Sequence, residues 1–428
     1  MNASASANSP CSSFNIEDMR PRGWRGLAFA IFKPLFLDQP QWWMRLLRWC
    51  WPIACLPIPR LTVVTRFEHV QEVLAQEQVF QVPFGPRMKE LMDGPLFVLA
   101  MQDGDEYKLQ RRQIMQAFKL EDVETTIAPS SARHAEQILA QCGGRIDAIE
   151  CLLTRVPTLL CRDYYGVDVP DEKLFAQWLI AMSAHVFSWP WGKQSSSAVT
   201  ALAAANCMRP LIDQSIRNAK TSPERPTSIV ARLVEMQKQG GGDPNDDMIR
   251  TELFGMLTGF VPTNTIASGH VLEMLLRRPD FMKRAQAAAR ADHDELLWRC
   301  LFETMRFKPI NLGPFRECAE DYTIADGSSS AKRIPAGTRL LVSTQSAMFD
   351  KRSVVEPKTF DPNRRSHESM VFGYGLHWCI GAFLAGAQIT QTFKPLLKKR
   401  GLRPARGRAG QMQTIGLMPT HLIVEFDP

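Results

Sequence analysis

A chain of 428 residues that is 45% hydrophobic and 22% charged has the composition of a globular protein with enough apolar material for a large core. Its net charge of +7, from 51 basic and 44 acidic residues, suits an acidic protein partner or an anionic membrane surface. With no interleaved basic and aromatic patch, no nucleic-acid partner is expected, and ten cysteines without CxxC pairing (11, 50, 55, 142, 151, 161, 207, 300, 318 and 379) read as reduced cytoplasmic thiols rather than a disulfide framework.

Residues 1–20 are rich in Ser, Ala and Asn and read as disordered; they lack the charged start and apolar core of a signal peptide. The apolar runs at 29–37 and 42–51 are interrupted by Lys33, Pro34, Arg45 and Arg48. Neither reaches the roughly 18–20 uninterrupted apolar residues of a spanning helix. Two readings of residues 24–57 stand: a helix packed on the protein body, or an aromatic and arginine-rich segment peripheral to a membrane. From residue 60 to 428 no interior linker interrupts the pattern. The chain is read as one domain behind an N-terminal extension, 1–59, that is partly disordered and then amphipathic helical.

Residues 61–65 are short and β-branched, which predicts a strand, and a helix follows over 68–76. Residues 103–118 open acidic and turn basic, a helix on which Tyr107 and Arg111 share one face. Alone, such a face is an ordinary solvated one. The stretch 127–239 is mostly helical, with breaks at Pro157, Pro170, 189–192 and 221–226. A long helix is expected from Asp246 to about Arg278, with caps supplied just before it. Strands are few, short and late, at 338–343 and 422–426, so the fold class is mainly α with small β-sheets. Glu303 and Arg306 stand three apart on a helical run and lie side by side, a spacing that usually marks a surface pair.

The most informative stretch is Phe372-Gly-Tyr-Gly-Leu-His-Trp-Cys-Ile-Gly381, directly before an Ala- and Leu-rich helical run at 382–397. Its glycines permit positive φ and a close approach to a flat ligand. A thiol at a helix start lies near the positive end of the peptide dipoles, which favours thiolate. An isolated buried anionic sulfur is costly, so a metal is expected to cap it, and haem iron takes one thiolate on one axial side.

Five positions, Phe372, Gly375, His377, Cys379 and Gly381, match Phe-x-x-Gly-x-His-x-Cys-x-Gly at fixed offsets, which resembles the haem-binding loop of the cytochrome P-450 family. The resemblance covers about residues 60–428. It implies a cytochrome P-450 fold, with haem b between a long distal helix and the helix after the cysteine loop, and Cys379 as the iron ligand. Arg111, Arg316 and His377 occupy positions that supply donors to the haem propionates; Tyr107 stands where the family usually has His. Glu303 and Arg306, with Arg364 of Phe360-Asp-Pro-Asn-Arg364, match a buried Glu–Arg–Arg cluster that locks the cysteine loop.

Two departures stand out. The segment Gly259-Phe-Val-Pro-Thr263 matches the family's distal-helix motif at Thr263, but Pro262 replaces the acid that helps relay protons to oxygen. Proline also deletes a backbone donor, which predicts a kink and a freed carbonyl near Thr258. After the loop, Ala385-Gly-Ala-Gln388 replaces Ala-Arg-x-Glu, on a face usually seen by a redox partner. The resemblance implies a haem-thiolate monooxygenase acting with O2 on an apolar small molecule, with electrons from a ferredoxin or other reductase. The alternatives are a peroxygenase or hydroperoxide isomerase, and a non-catalytic haem-bearing binding module.

Overall fold

The structure, a computed structural model, describes residues 40–56, 60–187, 196–221, 225–241 and 243–427, together with Cys11, Phe14, Ile16–Met19, Lys33 and Phe36. The expectations for residues 1–10, for most of 20–39 and for the break at 189–192 lie outside these residues.

The fold is organised on the helix Asp246–Arg277. Asn245 caps it by accepting from the Met248 N–H at 2.9 Å, and Asp246 and Asp247 place negative charge at its positive end. Its apolar residues, from Ile249 through Phe254 and Val261 to Leu275, cover all sides, as expected of a helix buried in a large core. Helices Glu172–Phe187 and Ser196–Thr221 pack on one side of it, and Asp294–Phe307 on another. The helix Ala382–Lys398, which follows the cysteine loop, lies against Ala128–Ala140 and Asp294–Phe307. Helicity runs without a break through Pro262. The Thr258 carbonyl has no proline N–H to accept, as expected.

The largest sheet orders its strands Ile53–Leu56, Leu61–Val64, Arg339–Val342, Phe315–Cys318 and Phe80–Gln81. Leu61–Val64 runs parallel to Arg339–Val342, with Leu61 opposite Arg339; the other pairs are antiparallel. The sheet therefore begins before residue 60. Twelve strands of two to four residues occur among the described residues, more than expected and not confined to the end of the chain. Such lengths are too short for period-two alternation to be read. Alternation within Phe315–Cys318 nevertheless matters, because it turns Arg316 inward and leaves Glu317 outside.

The cysteine reading needs correction. Cys11 is disulfide-bonded to Cys207 on the helix Ser196–Thr221, and eight cysteines remain free. The partners are 196 residues apart, so no local spacing announces the bond. Phe14, Ile16 and Met19 pack against Ile180, Ile415 and Met418, so this part of the N-terminal segment is folded onto the body rather than disordered. Among the described residues no helix is long and apolar enough to cross a membrane.

Glu252, fully buried on the long helix, has no hydrogen bond to either carboxylate oxygen. Burial pushes its carboxyl up to about 8, and the negative charge of Asp243 adds to the effect. Because the folded pKa lies above the unfolded one, this group favours the fold below the unfolded pKa and loses that advantage as pH rises through the folded value. Glu252→Gln is therefore expected to melt like the native protein near about pH 4, and higher than it at about pH 9, by an amount on the order of 4 kcal/mol. Thermal melts at the two pH values check this; a constant offset would mean the carboxyl does not titrate with folding.

Candidate active site

The loop before Ala382–Lys398 is shaped by glycine at one decisive point. Gly375 has φ 72°, and a Cβ there would sit 2.5 Å from the Leu74 carbonyl oxygen, so no other residue fits. The turn closes when the Cys379 N–H donates to the Phe372 carbonyl at 3.0 Å and the Trp378 N–H to the Gly375 carbonyl at 3.1 Å. Burial pushes the Cys379 thiol up from its usual range, while the Gly381 N–H and the Arg111 charge pull it down. The helix-start field thus does not outweigh desolvation. A stable thiolate here calls for a cation directly on the sulfur, which is what iron provides.

Arg111, Arg316 and His377 converge beside this loop, and both guanidiniums act on the imidazole. Desolvation, then the Arg316 and Arg111 charges, hold His377 down to about 4, so it is neutral at pH 7 and offers a neutral donor rather than a cation. Its Nε2 lies 3.5 Å from a carboxylate oxygen of the buried Glu77, a residue that the sequence reading missed and that no motif marks. Arg316 is buried; its Nη1 donates to the Phe315 carbonyl at 2.9 Å, while its Nε has no partner. Burial pushes this guanidinium down to about 10, and Glu77 opposes the shift.

Tyr107 serves the loop directly. Its hydroxyl donates to the Leu376 carbonyl at 2.8 Å and accepts from Arg111 Nη1 at 3.2 Å, and its ring meets His377 edge-on at 5.7 Å. A carbonyl of the cysteine loop thus takes the proton expected to go to a propionate. The donor set nonetheless fits haem: one sulfur at a helix start, two arginines and an imidazole beside it, and a buried guanidinium N–H left unsatisfied by protein.

On the long helix, Gly259 and Thr263 are four apart and share a face. A Cβ on Gly259 would meet no atom within 4 Å, so that face is open. The Thr263 hydroxyl donates to the Gly259 carbonyl, which leaves its lone pairs free to accept. Pro262 is buried and offers no titratable proton.

Glu303, Arg306 and Arg364 meet. Arg306 forks onto Glu303 through Nη2 at 2.7 Å and Nε at 3.0 Å, and Arg364 Nε reaches the same carboxylate at 3.1 Å. The two arginines also donate to the carbonyls of Met348, Val355, Pro357 and Thr359. Glu368, four residues beyond Arg364, completes the cluster at 3.0 Å; sequence reasoning missed it, although its spacing was available.

A family model described as Cytochrome P450 matches residues 58–421. Similar curated proteins include a cyclomarin C epoxidase of Salinispora arenicola, 23% identical over 81% of this chain and 85% of its own, and a mycinamicin IV hydroxylase/epoxidase of Micromonospora griseorubida, 24% identical over 79% and 81%. Among solved structures, the ligand-free CYP164A2 of Mycobacterium smegmatis superposes with a TM-score of 0.76 at 22% identity, covering 94% of this chain and 99% of that one. A complex of P450BioI with a fatty acid-loaded acyl carrier protein gives a TM-score of 0.77 at 16% identity, over 92% and 100%.

Proposed function

The chain belongs to the cytochrome P450 family, oxidoreductases of the haem-thiolate monooxygenase kind, and we propose that it inserts one oxygen atom from O2 into an apolar small molecule with electrons from a separate protein, a ferredoxin or similar reductase. The observation that carries this reading is the single sulfur of Cys379 held beside Arg111, Arg316 and His377. Haem, of the b form, would supply the iron that activates oxygen, with a thiolate as its protein ligand. Cys379 is its ligand. Arg316, with its unpartnered Nε, and Arg111 hold the carboxylates; His377 adds a neutral donor. Tyr107 keeps the loop in register with the helix that carries Arg111. An exposed set of rings, Tyr374, Trp378 and Phe383, offers the electron donor a surface. NADH-supported product formation with a surrogate ferredoxin system tests the reading, and its absence with every donor tried counts against it.

Pro262 supports a second reading, in which peroxide replaces O2 and reductant. Proton relay by a positioned group is typically worth roughly 10²–10⁴-fold. Here the Thr263 hydroxyl already donates to the Gly259 carbonyl. O2-driven turnover is expected to waste reducing equivalents, and Pro262→Glu to raise the product formed per NADH consumed. Product from added peroxide should exceed that from the O2-driven system. Tight coupling without peroxide use in the native protein would sink this reading.

The N-terminal helix Gln41–Cys50 supports peripheral membrane contact. Met44 and Arg48 face inward, and Arg48 Nη1 donates to the Ser346 carbonyl and hydroxyl at 2.9 and 2.7 Å. Leu46, Trp49 and Trp51 stay 47%, 74% and 62% exposed. Between residues 40 and 64 the charged residues are Arg45, Arg48 and Arg60, with no acid. Anchored rings beside cations suit an anionic interface. The protein should co-sediment with phosphatidylserine-containing vesicles and less with neutral ones, and Trp49→Ser should weaken this. Equal sedimentation with both kinds of vesicle, or none, would refute the contact.

A further inference from the structure

The substitution of the family's Arg by Gly386 has a counterpart in space. A Cβ on Gly386 would lie 3.3 and 3.4 Å from the indole of Trp298, so the absence of a side chain at 386 is what lets Trp298 settle against the helix Ala382–Lys398. Trp298 and Phe302 stand four apart on Asp294–Phe307, with ring centroids 5.4 Å apart. Both stack on Phe372, at 6.3 Å with planes 28° apart and at 5.7 Å with planes 21° apart. The Phe372 carbonyl in turn accepts the Cys379 N–H at 3.0 Å. One indole, carried by the helix that also bears Glu303 and Arg306, therefore touches the helix after the cysteine and the first residue of the turn that presents the sulfur.

From this we propose that Trp298 is a positioning residue for the sulfur: seated on Gly386 and stacked on Phe372, it fixes the turn in which the Gly381 backbone lies beside Cys379 Sγ. This rests on the haem-thiolate reading. Hydrogen bonds to a ligating sulfur withdraw electron density and raise the potential of the metal it holds, so outer residues that fix them tune the site. Ring stacking of this kind contributes roughly 0.5–1.5 kcal/mol per pair beyond area burial, enough to bias the turn without deciding whether the chain folds. The ion cluster Glu303–Arg306–Arg364 holds the same helix independently of the indole, so the fold should survive its loss.

The test is the midpoint potential of the haem-loaded protein, measured by spectroelectrochemistry, together with the Soret position of its reduced carbon monoxide complex. Trp298→Leu should lower the potential and move the band. Gly386→Ala, which displaces the indole by a few tenths of an ångström, should shift both in the same direction by less. The double variant should move no further than Trp298→Leu alone, because both changes act through one contact. Trp298→Phe should return most of the shift. Unchanged potential and band in both single variants, with only the melting temperature lowered, would reduce Trp298 to packing; additive shifts would also overturn the proposal. If Trp298→Leu fails to load haem, Gly386→Ala and Trp298→Phe decide. A native protein without the thiolate band sinks the underlying reading, whereas a native band with unmoved variants sinks this inference alone.

Discussion

Cys379→Ala is expected to abolish the red-shifted Soret band that the reduced, carbon monoxide-bound protein gives, while Cys161→Ala leaves it intact. Both cysteines lie where burial raises the thiol, but only Cys379 has a backbone N–H from a following glycine and a guanidinium acting on it. Cys161 lies wholly inside a helix, with its thiol donating to the Pro157 carbonyl, and has no such field. Removing the sulfur at 379 leaves no other cysteine on that loop to replace it. Turnover should fall with the band. Retention of the band in Cys379→Ala would falsify the assignment of the ligand.

What could be read in the sequence was what local spacing encodes. The cysteine turn, the pair Glu303 and Arg306, and the long helix from Asp246 each lie within one continuous stretch, and each stands in the structure within a residue or so of its expected bounds. What escaped was set by distance along the chain. The parallel pairing of Leu61–Val64 with Arg339–Val342 joins segments more than half the chain apart, and Cys11 is bonded to Cys207 across 196 residues. Glu77 meets His377 across 300 residues, so nothing near either announced the contact.

Departures from the family pattern were visible, but their consequences were not. Gly386 reads in sequence as a lost arginine; in space it is the seat of Trp298. Tyr107 reads as a substitute donor to a propionate; in space it donates to the loop itself. Pro262 reads as a lost backbone donor; in space helicity runs on through it, with residues on all sides of the helix buried. In each case tertiary packing decided between outcomes that local chemistry left equal.

Glu303→Ala and Arg306→Ala are expected to give little soluble protein and almost no haem incorporation. Arg306 is fully buried, and its guanidinium spends its donors on Glu303 and on the carbonyls of Met348, Pro357 and Thr359. Burial, with the Arg364 charge adding to it, holds this guanidinium below its usual range, and Glu303 is the first influence opposing the shift. Without Glu303, two arginines remain in one desolvated site, and the Asp361 N–H loses its acceptor as well. Leaving a buried charge uncompensated costs roughly 3–5 kcal/mol, against a total stability of roughly 5–15 kcal/mol for an ordinary domain. The same helix supplies its own control. Glu295 and Arg299 form an ion pair two turns earlier, but both side chains are exposed, so Glu295→Ala should leave yield, haem content and melting temperature unchanged. Expression yield, haem content per chain and a thermal melt distinguish the two pairs. Soluble haem-loaded protein at native yield from both Glu303→Ala and Arg306→Ala would mean that the buried cluster does not hold the cysteine loop in place.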